Sequence, residues 1–345
     1  MELNKKAIMF TFLSVMIAAL FSTMFTATKQ SPVDEKVNFA NTQIRVLNEH
    51  VENFESYVLR SLEISGYTAL QGMIQYIEDT STFYSDTGDI NNSYKNCVQT
   101  GFIDGTSTDC PFMTDIDDKT VPSLLDLVAA LFLDELNIDL TYSVLDIGIE
   151  QIGSFELKTW INITYNADHS YAKWSQPNER LETTISIVGL EDPIYNSYGP
   201  AKGIASNTFK KTTITKWNNS ATLDFLNAQD YRTFPGVINI DDGAGGSTDY
   251  LAMSFMERLT DTTMDKFAAY RIESFIRPQD VSPDDNTSYV DFVFLKNVDW
   301  ICDFGNPTSL YTITGFGSEF ILDFIHLATP PYNLTRSDWL NNGVC

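Results

Sequence analysis

Basic side chains are scarce in this chain: 22 Lys and Arg stand against 46 Asp and Glu, a net charge of −24. That balance excludes nucleic acid as a partner, because phosphate binding needs a Lys/Arg footprint and this chain would repel the backbone. Histidine is rarer still, with His50, His169 and His326 only. The sequence has no C-x-x-C, so zinc and thioredoxin-like redox sites have no support. Gly-x-Ser-x-Gly is absent, and the glycine-rich stretch Asn239–Asp249 lacks the Lys-Ser/Thr of a P-loop. The aspartates at 115, 117 and 118 lack the spacing and glycine of an EF-hand and read as a solvated acidic loop. No catalytic, cofactor-binding or metal-binding residue is therefore assigned. Two weak pairs are noted for their chemistry alone: Glu191 with Asp192, and Asp323 with His326.

What is present is apolar bulk. The chain is 43% hydrophobic and includes 23 Phe and 16 Tyr, enough to bury sizeable cores over its 345 residues. Its longest uncharged run is Ala7–Thr28, preceded by Lys5 and Lys6. As a helix it would extend about 33 Å and cross a ~30 Å hydrocarbon core. The run is longer than a secretory signal core and has a poor exit site, so an uncleaved single-span anchor is expected. Flanking charges hardly orient it, because Lys29, Lys36 and Arg45 lie on its other side. The bulk of the downstream chain and its even cysteine count favour a cytoplasmic stub (1–6) and an extracytoplasmic remainder.

Cys97, Cys110, Cys302 and Cys345 make an even set, for which three pairings are possible. Cys97 with Cys110 is the local choice, and Cys302 with Cys345 would then tie down the C-terminus. Five Asn-x-Ser/Thr sequons, at Asn91, Asn162, Asn218, Asn286 and Asn333, do not exceed chance for this composition.

Beyond Pro32 the apolar positions Val37, Ala40, Ile44, Leu47, Val51, Phe54 and Val58 alternate in threes and fours, predicting a helix to Glu78 within a stalk segment 29–80. Gly66 and Gly72 read as its soft points. Three heptads are few, which favours a helix lying along its own globular part over a coiled-coil stalk. Residues 81–137 read as a disulfide loop followed by a short helix, Val121–Leu136, with Pro122 in its first turn. Alternation from Phe155 to Tyr165 predicts a strand, Asn166–Ser170 a turn, and Ala172–Trp174 and Leu181–Val188 further strands in a β-rich domain, 138–200. The rest, 201–345, reads as a second α+β part, with short helical or mixed segments at Tyr250–Leu259 and Met264–Ile276 and strands at Tyr289–Leu295 and Leu310–Thr314.

Trp174–Tyr195, with its Ile/Val strand followed by Gly189-Leu190-Glu191-Asp192-Pro193, resembles a block in uncharacterised archaeal single-pass membrane-anchored surface proteins. The start, Asn4-Lys5-Lys6-Ala7, and Val58–Ala69 resemble them as well. Lys6-Ala7 before Ile8 also resembles the junction of archaeal prepilins, although Phe12 stands where many pilins carry an acidic residue. The resemblance implies topology and carries no activity.

The expected fold is α+β: a membrane helix continuing into a long amphipathic helix, then an extracytoplasmic strand-rich region. The expected function is a non-catalytic cell-surface protein, a pilin-like or pseudopilin-like assembly component, whose partners are the membrane and, through the N-terminal helix, itself or other assembly subunits. An anchored binding module and an extracytoplasmic hydrolase are the alternatives.

Overall fold

The computed structural model describes residues 32–113, 118–170, 172–197, 207–216, 218–234, 237–241, 247–277, 288–295, 310–313, 320–323, 326, 332 and 339–340, with side chains from residue 41 on except at 196, 219, 237–241, 247–250 and 339–340. The anchor segment 7–28, Cys302, Cys345, the sequons at Asn286 and Asn333, and the aspartates at 115 and 117 lie outside these residues. Among the described residues no helix is long and apolar enough to cross a membrane.

The fold is α+β with antiparallel sheets. Helix α1, Pro32–Thr80, is 49 residues and about 73 Å long. From Leu47 onward its heptad stripe turns into the protein: Leu47, Val51, Phe54, Val58 and Leu62 are all buried. They face a meander of three long strands, β1 (Asp139–Gln151), β2 (Glu156–His169) and β3 (Ala172–Ser186), in the order β1-β2-β3. The expected two-residue period holds, since Leu157, Thr159, Ile161, Ile163 and Tyr165 of β2 are buried and the residues between them are not. Helix α1 thus lies along its own domain, as the short stripe favoured. Its first turns are different: Asn41, Thr42, Ile44, Arg45 and Val46 are exposed.

Three expectations for this half need correction. The disulfide loop expected ahead of the Val121–Leu136 helix contains a helix of its own, α2, Thr87–Thr100. Asp86 accepts from the backbone N–H groups of Gly88 and Asp89, and Gly101 closes the helix in the left-handed conformation. Its polar sequence, TGDINNSYKNCVQT, hides a buried stripe of Ile90, Tyr94, Cys97 and Val98. The turn expected at Asn166–Ser170 is later and tighter, because β2 keeps pairing up to His169↔Ala172. The separate strands at Ala172–Trp174 and Leu181–Val188 are one strand, β3, which ends at Ser186.

Cys97 and Cys110 are joined, with Cα atoms 5.6 Å apart, as the local pairing anticipated. The chain-entropy model assigns a closure of this size about 3 kcal/mol, so reduction is expected to lower the urea midpoint accordingly. The bridge lies against Gly72. A Cβ at that position would fall 2.8 Å from Cys110 Sγ and closer still to the Pro111 carbonyl. Gly72 is therefore a point of close approach rather than a soft point. Gly72→Ala is expected to destabilise by about 1–3 kcal/mol, despite alanine's better helix propensity; a gain in Tm would refute this packing role.

Helix α3, Val121–Leu136, matches the expected bounds and is capped by Thr120. It runs antiparallel to α1: Ser65 Oγ donates to the Lys119 carbonyl at one end, while Phe132 meets Phe54 and His50 edge-on at the other.

The C-terminal half is built from short pieces. They are α4 (Pro193–Ser197), α5 (Asn219–Ala228), β4 (Arg232–Thr233), the β5–β6 hairpin (Val237–Asp241, Ser247–Leu251), α6 (Phe255–Thr260), a 3-10 turn (Asp265–Tyr270), β7 (Ile272–Glu273), α7 (Asp291–Leu295), β8 (Leu310–Ile313), β9 (Ile321–Asp323) and β10 (Trp339–Leu340). The strand expected at Tyr289–Leu295 is instead a helix turn at Asp291–Leu295. Every residue of that turn is buried, Asp291 included, so a short run that is apolar apart from one aspartate gave no period to tell helix from strand. A second apolar cluster, including Phe225, Phe275, Tyr289 and Phe294, forms a core here. Phe209 instead joins the first core, its backbone pairing with Leu190.

Candidate functional site

The chemistry-bearing side chains converge on the segment Arg271–Phe275, with one buried ionic network on each side of it. Ser254 starts α6 with a capping box, its hydroxyl accepting from Glu257 N–H while the Glu257 carboxylate accepts from Ser254 N–H. This fixes the helix turn that carries Arg258, a fully buried arginine. Arg258 Nη1 pairs with Asp192 and Nη2 with Asp291 at 2.8 Å. Arg258 Nε and Nη2 also donate to the carbonyls of Met253 and Ile272, at 3.2 and 3.1 Å. Tyr231 donates to Asp192 at 2.7 Å and accepts from Asn207 at 3.0 Å. Burial opposes the Arg258 charge, but Asp192 and Asp291 overcome it and raise the guanidinium above its ordinary range. Burial pushes the Asp291 carboxyl up to about 6, against the pull of Arg258.

The Glu273 side chain belongs to the second network. Glu273 accepts from Arg232 Nε at 2.6 Å and from the Tyr332 hydroxyl, and its other oxygen lies 3.1 Å from His326 Nε2. His326 Nδ1 sits 2.7 Å from Asp323, which also accepts from Ser288 Oγ at 2.8 Å. Burial alone would discharge the His326 ring, but Asp323 and Glu273 together raise it to about 10. Both carboxyls are in turn held below their usual range: burial opposes this, while Arg232 and His326 prevail at Glu273 and His326 prevails at Asp323. The ring is thus an imidazolium with both nitrogens donating.

This geometry decides what the cluster can do. A general base or metal ligand needs a free imidazole lone pair, and His326 has none. Ser288 bonds the carboxylate rather than the imidazole, so the nucleophile–base contact of a hydrolytic triad is missing. His326 is 2% exposed and Asp323 1%, which leaves no approach for substrate. Among the described residues no group of three or more His, Cys, Asp or Glu side chains has the arrangement of a metal site.

The sequence pairs fare unequally. Asp323 and His326 are brought together, though by a turn after β9 and not on a helix face. Glu191 and Asp192 are driven apart: Glu191 is exposed and bridges Thr208 through its backbone, while Asp192 is buried on Arg258. His50 packs its ring against Phe132, 6.1 Å between centroids. Asp118 caps Thr120 and serves the start of α3. Sequence reasoning missed Arg258, Asp291, Glu273, Arg232 and Tyr332. The signals were present as Ser254-x-x-Glu257 before Arg258 and as single charges inside apolar runs, Ile272-Glu273-Ser274-Phe275 and Val290-Asp291-Phe292.

A polar groove of about 160 Å³ lies between α1 and the Gly189–Glu191 corner; Gln71, Gln75, Glu78, Phe112, Glu191 and Thr208 line it.

No family model, curated protein or solved structure matches this chain. Its function has to be argued from its own geometry.

Proposed function

We propose that the chain is a non-catalytic, membrane-anchored cell-surface protein, a pilin-like or pseudopilin-like assembly component with its bulk outside the cytoplasm. The observation that carries this reading is α1. One end of this 49-residue helix is clamped across a three-stranded antiparallel sheet, and its other end follows, in the sequence, the uncharged run Ala7–Thr28. A long helix set between an apolar run and a sheet-bound half suits a protein that must hold a domain at a fixed distance from a bilayer. The Cys97–Cys110 bridge supports an oxidising compartment. The two buried networks support a structural role, because their charges are matched within the protein and shielded from solvent.

Membrane flotation of the full chain and protease treatment of intact cells test the reading. The full chain should float with membranes, the domain should be cleaved from outside, and removal of residues 1–28 should release it to the soluble fraction. The mass of the mature N-terminus then separates an intact anchor from loss of seven residues, the outcome of prepilin-type processing. Full-length protein in the soluble fraction would refute the anchored reading.

A further inference from the structure

The polar groove beside α1 is built from side chains that have no other task in the fold. Its α1 wall is Gln71, Ile74, Gln75 and Glu78, an i, i+3, i+4, i+7 spacing at which a helix normally packs inward. Only Ile74 of the four is buried. The opposite wall is a short antiparallel pairing in which Glu191 faces Thr208. Phe209 N–H donates to the Leu190 carbonyl and Asp192 N–H to the Asn207 carbonyl, both at 2.8 Å, which fixes that wall. Among the described residues the Gln71 amide, the Glu191 carboxylate and the Thr208 hydroxyl have no hydrogen-bond partner. Gln75 donates to Asp79 at 2.9 Å and keeps its carbonyl oxygen as an acceptor.

Phe112 stands at the groove under strain. Cys110 to Met113 is a β-turn, with Met113 N–H donating to the Cys110 carbonyl at 3.2 Å. Pro111 fixes a negative φ at the second position and Phe112 follows at φ +69°, so the turn is type II. Its third position calls for glycine or asparagine, because a bulky residue is strained at positive φ. The Cys97–Cys110 bridge and the close approach of Pro111 to Gly72 hold the turn against α1. The ring is left 39% exposed beside the free polar groups. Strain kept at the rim of a cavity is a feature of ligand clamps.

The lining selects the ligand. It carries the carboxylates of Glu78 and Glu191 and no Lys, Arg or His, which excludes phosphate and other anions. A bare cation would satisfy the carboxylates and the ring but would leave the Gln71 N–H and Thr208 O–H groups without an acceptor. Hydroxyl groups both donate and accept, so they match the whole set. A cavity of about 150 Å³ holds benzene, so this groove of about 160 Å³ holds one six-membered ring. We propose that the groove binds one ring of an uncharged sugar. Its hydroxyls bond to Gln71, Glu191 and Thr208, and its C–H face lies on Phe112, which removes apolar surface from water on both sides. The site belongs to the described body and does not depend on the anchored reading.

The test uses the full chain in mild detergent. The probes are methyl glycosides and linear trisaccharides of glucose, galactose, mannose and N-acetylglucosamine, read by saturation-transfer NMR and titration calorimetry. At least one sugar should bind, and Gln71→Ala should weaken it about tenfold. Phe112→Gly should weaken it at least as much without lowering Tm, because glycine relieves the turn. If Phe112→Gly does lower Tm, Gln71→Ala at its solvent-facing helix position decides alone. Affinity should stay constant between about 0.05 and about 0.5 M salt, as expected of an uncharged ligand. A trisaccharide binding tighter than its methyl glycoside identifies a glycan as the source and equal affinity a free sugar; either supports the proposal. No binding by any sugar of the panel would overturn it. So would sugar binding untouched by Gln71→Ala, or salt-sensitive binding of spermine in place of the sugars.

Discussion

Arg258→Met is expected to destabilise the protein by about 3–5 kcal/mol, which is comparable to the whole stability of many domains. The substitution keeps an apolar stem of similar length in a buried place but removes the only charge between Asp192 and Asp291. Both carboxylates then remain buried, without a counter-ion and without the water that would hydrate them. Two backbone carbonyls, of Met253 and Ile272, also lose the arginine as a donor, that of Met253 keeping the Ile272 N–H. The effect extends across the molecule, because Asp192 belongs to the corner after β3 and Asp291 to α7. Urea unfolding followed by circular dichroism measures it. The triple variant Arg258→Met, Asp192→Asn, Asp291→Asn should recover most of the loss, since it removes the unpaired charges together with their partner. A single variant within about 1 kcal/mol of the parent would show that the network carries no such weight.

The second large effect concerns His326 and depends on pH. Its folded value is raised from 6.5 to about 10 by Asp323 and Glu273 against the opposing effect of burial. A raised base contributes stability that is fully present below its unfolded value and is lost as pH climbs through the folded one. Glu273 and Asp323 are depressed acids, so their contribution is present above the ordinary carboxylate range and is lost as pH falls through it. Stability should be greatest between the ordinary carboxylate range and about pH 6.5, with a fall on each side. Asp291, raised to about 6, works the other way and softens the acid limb, because its ionisation is penalised in the folded state. His326→Gln is expected to lower stability at neutral pH by about 3–5 kcal/mol, by leaving Asp323 and Glu273 short of a cation. The same variant should no longer lose stability between about pH 6.5 and 10, the window between the ordinary and the raised His326 values. An unchanged alkaline limb in the variant would assign that limb to other groups.

Those two networks were nearly invisible in the sequence, and the reason is geometric. Ion-pair partners such as Arg258 and Asp192 lie 66 residues apart, and Glu273 and His326 lie 53 apart. Spacing rules read neighbours within one helix or strand and have no access to such distances. The pair Asp323–His326 was legible as a pair because it is local, yet its meaning was not. Only Glu273 on the far side of the ring turns the imidazole into a locked cation. Conversely, Glu191 and Asp192 suggested an acid/base pair only by being adjacent, a strand-ending turn closed by Pro193 being the favoured reading. Adjacent residues in extended backbone point to opposite sides, so one meets water and the other meets Arg258.

Local pattern, in contrast, reached far into the N-terminal half. The heptad stripe of α1, the bounds of α3, the alternation of β2 and the Cys97–Cys110 pairing were all readable, since each depends on periods of two or 3.6 residues or on a short loop. Gly66 and Gly72 mark the limit of that reading. Propensity treats a helix glycine as a weakness, whereas packing against Tyr94 and Ile185, and against Cys110 and Pro111, leaves no room for a Cβ. The leucines of α3 mark another: in an apolar-rich helix the sequence does not say which leucines pack inward, and the fold leaves Leu127, Leu131 and Leu133 exposed.

By itself, then, the sequence determined an acidic α+β chain with a long helix leading into an alternating sheet, because those features are written in local periodicity and composition. Only the tertiary structure decided which charges are buried against each other, which glycines are contacts, and which leucines face outward. Each of these depends on residues far apart in the chain being packed together.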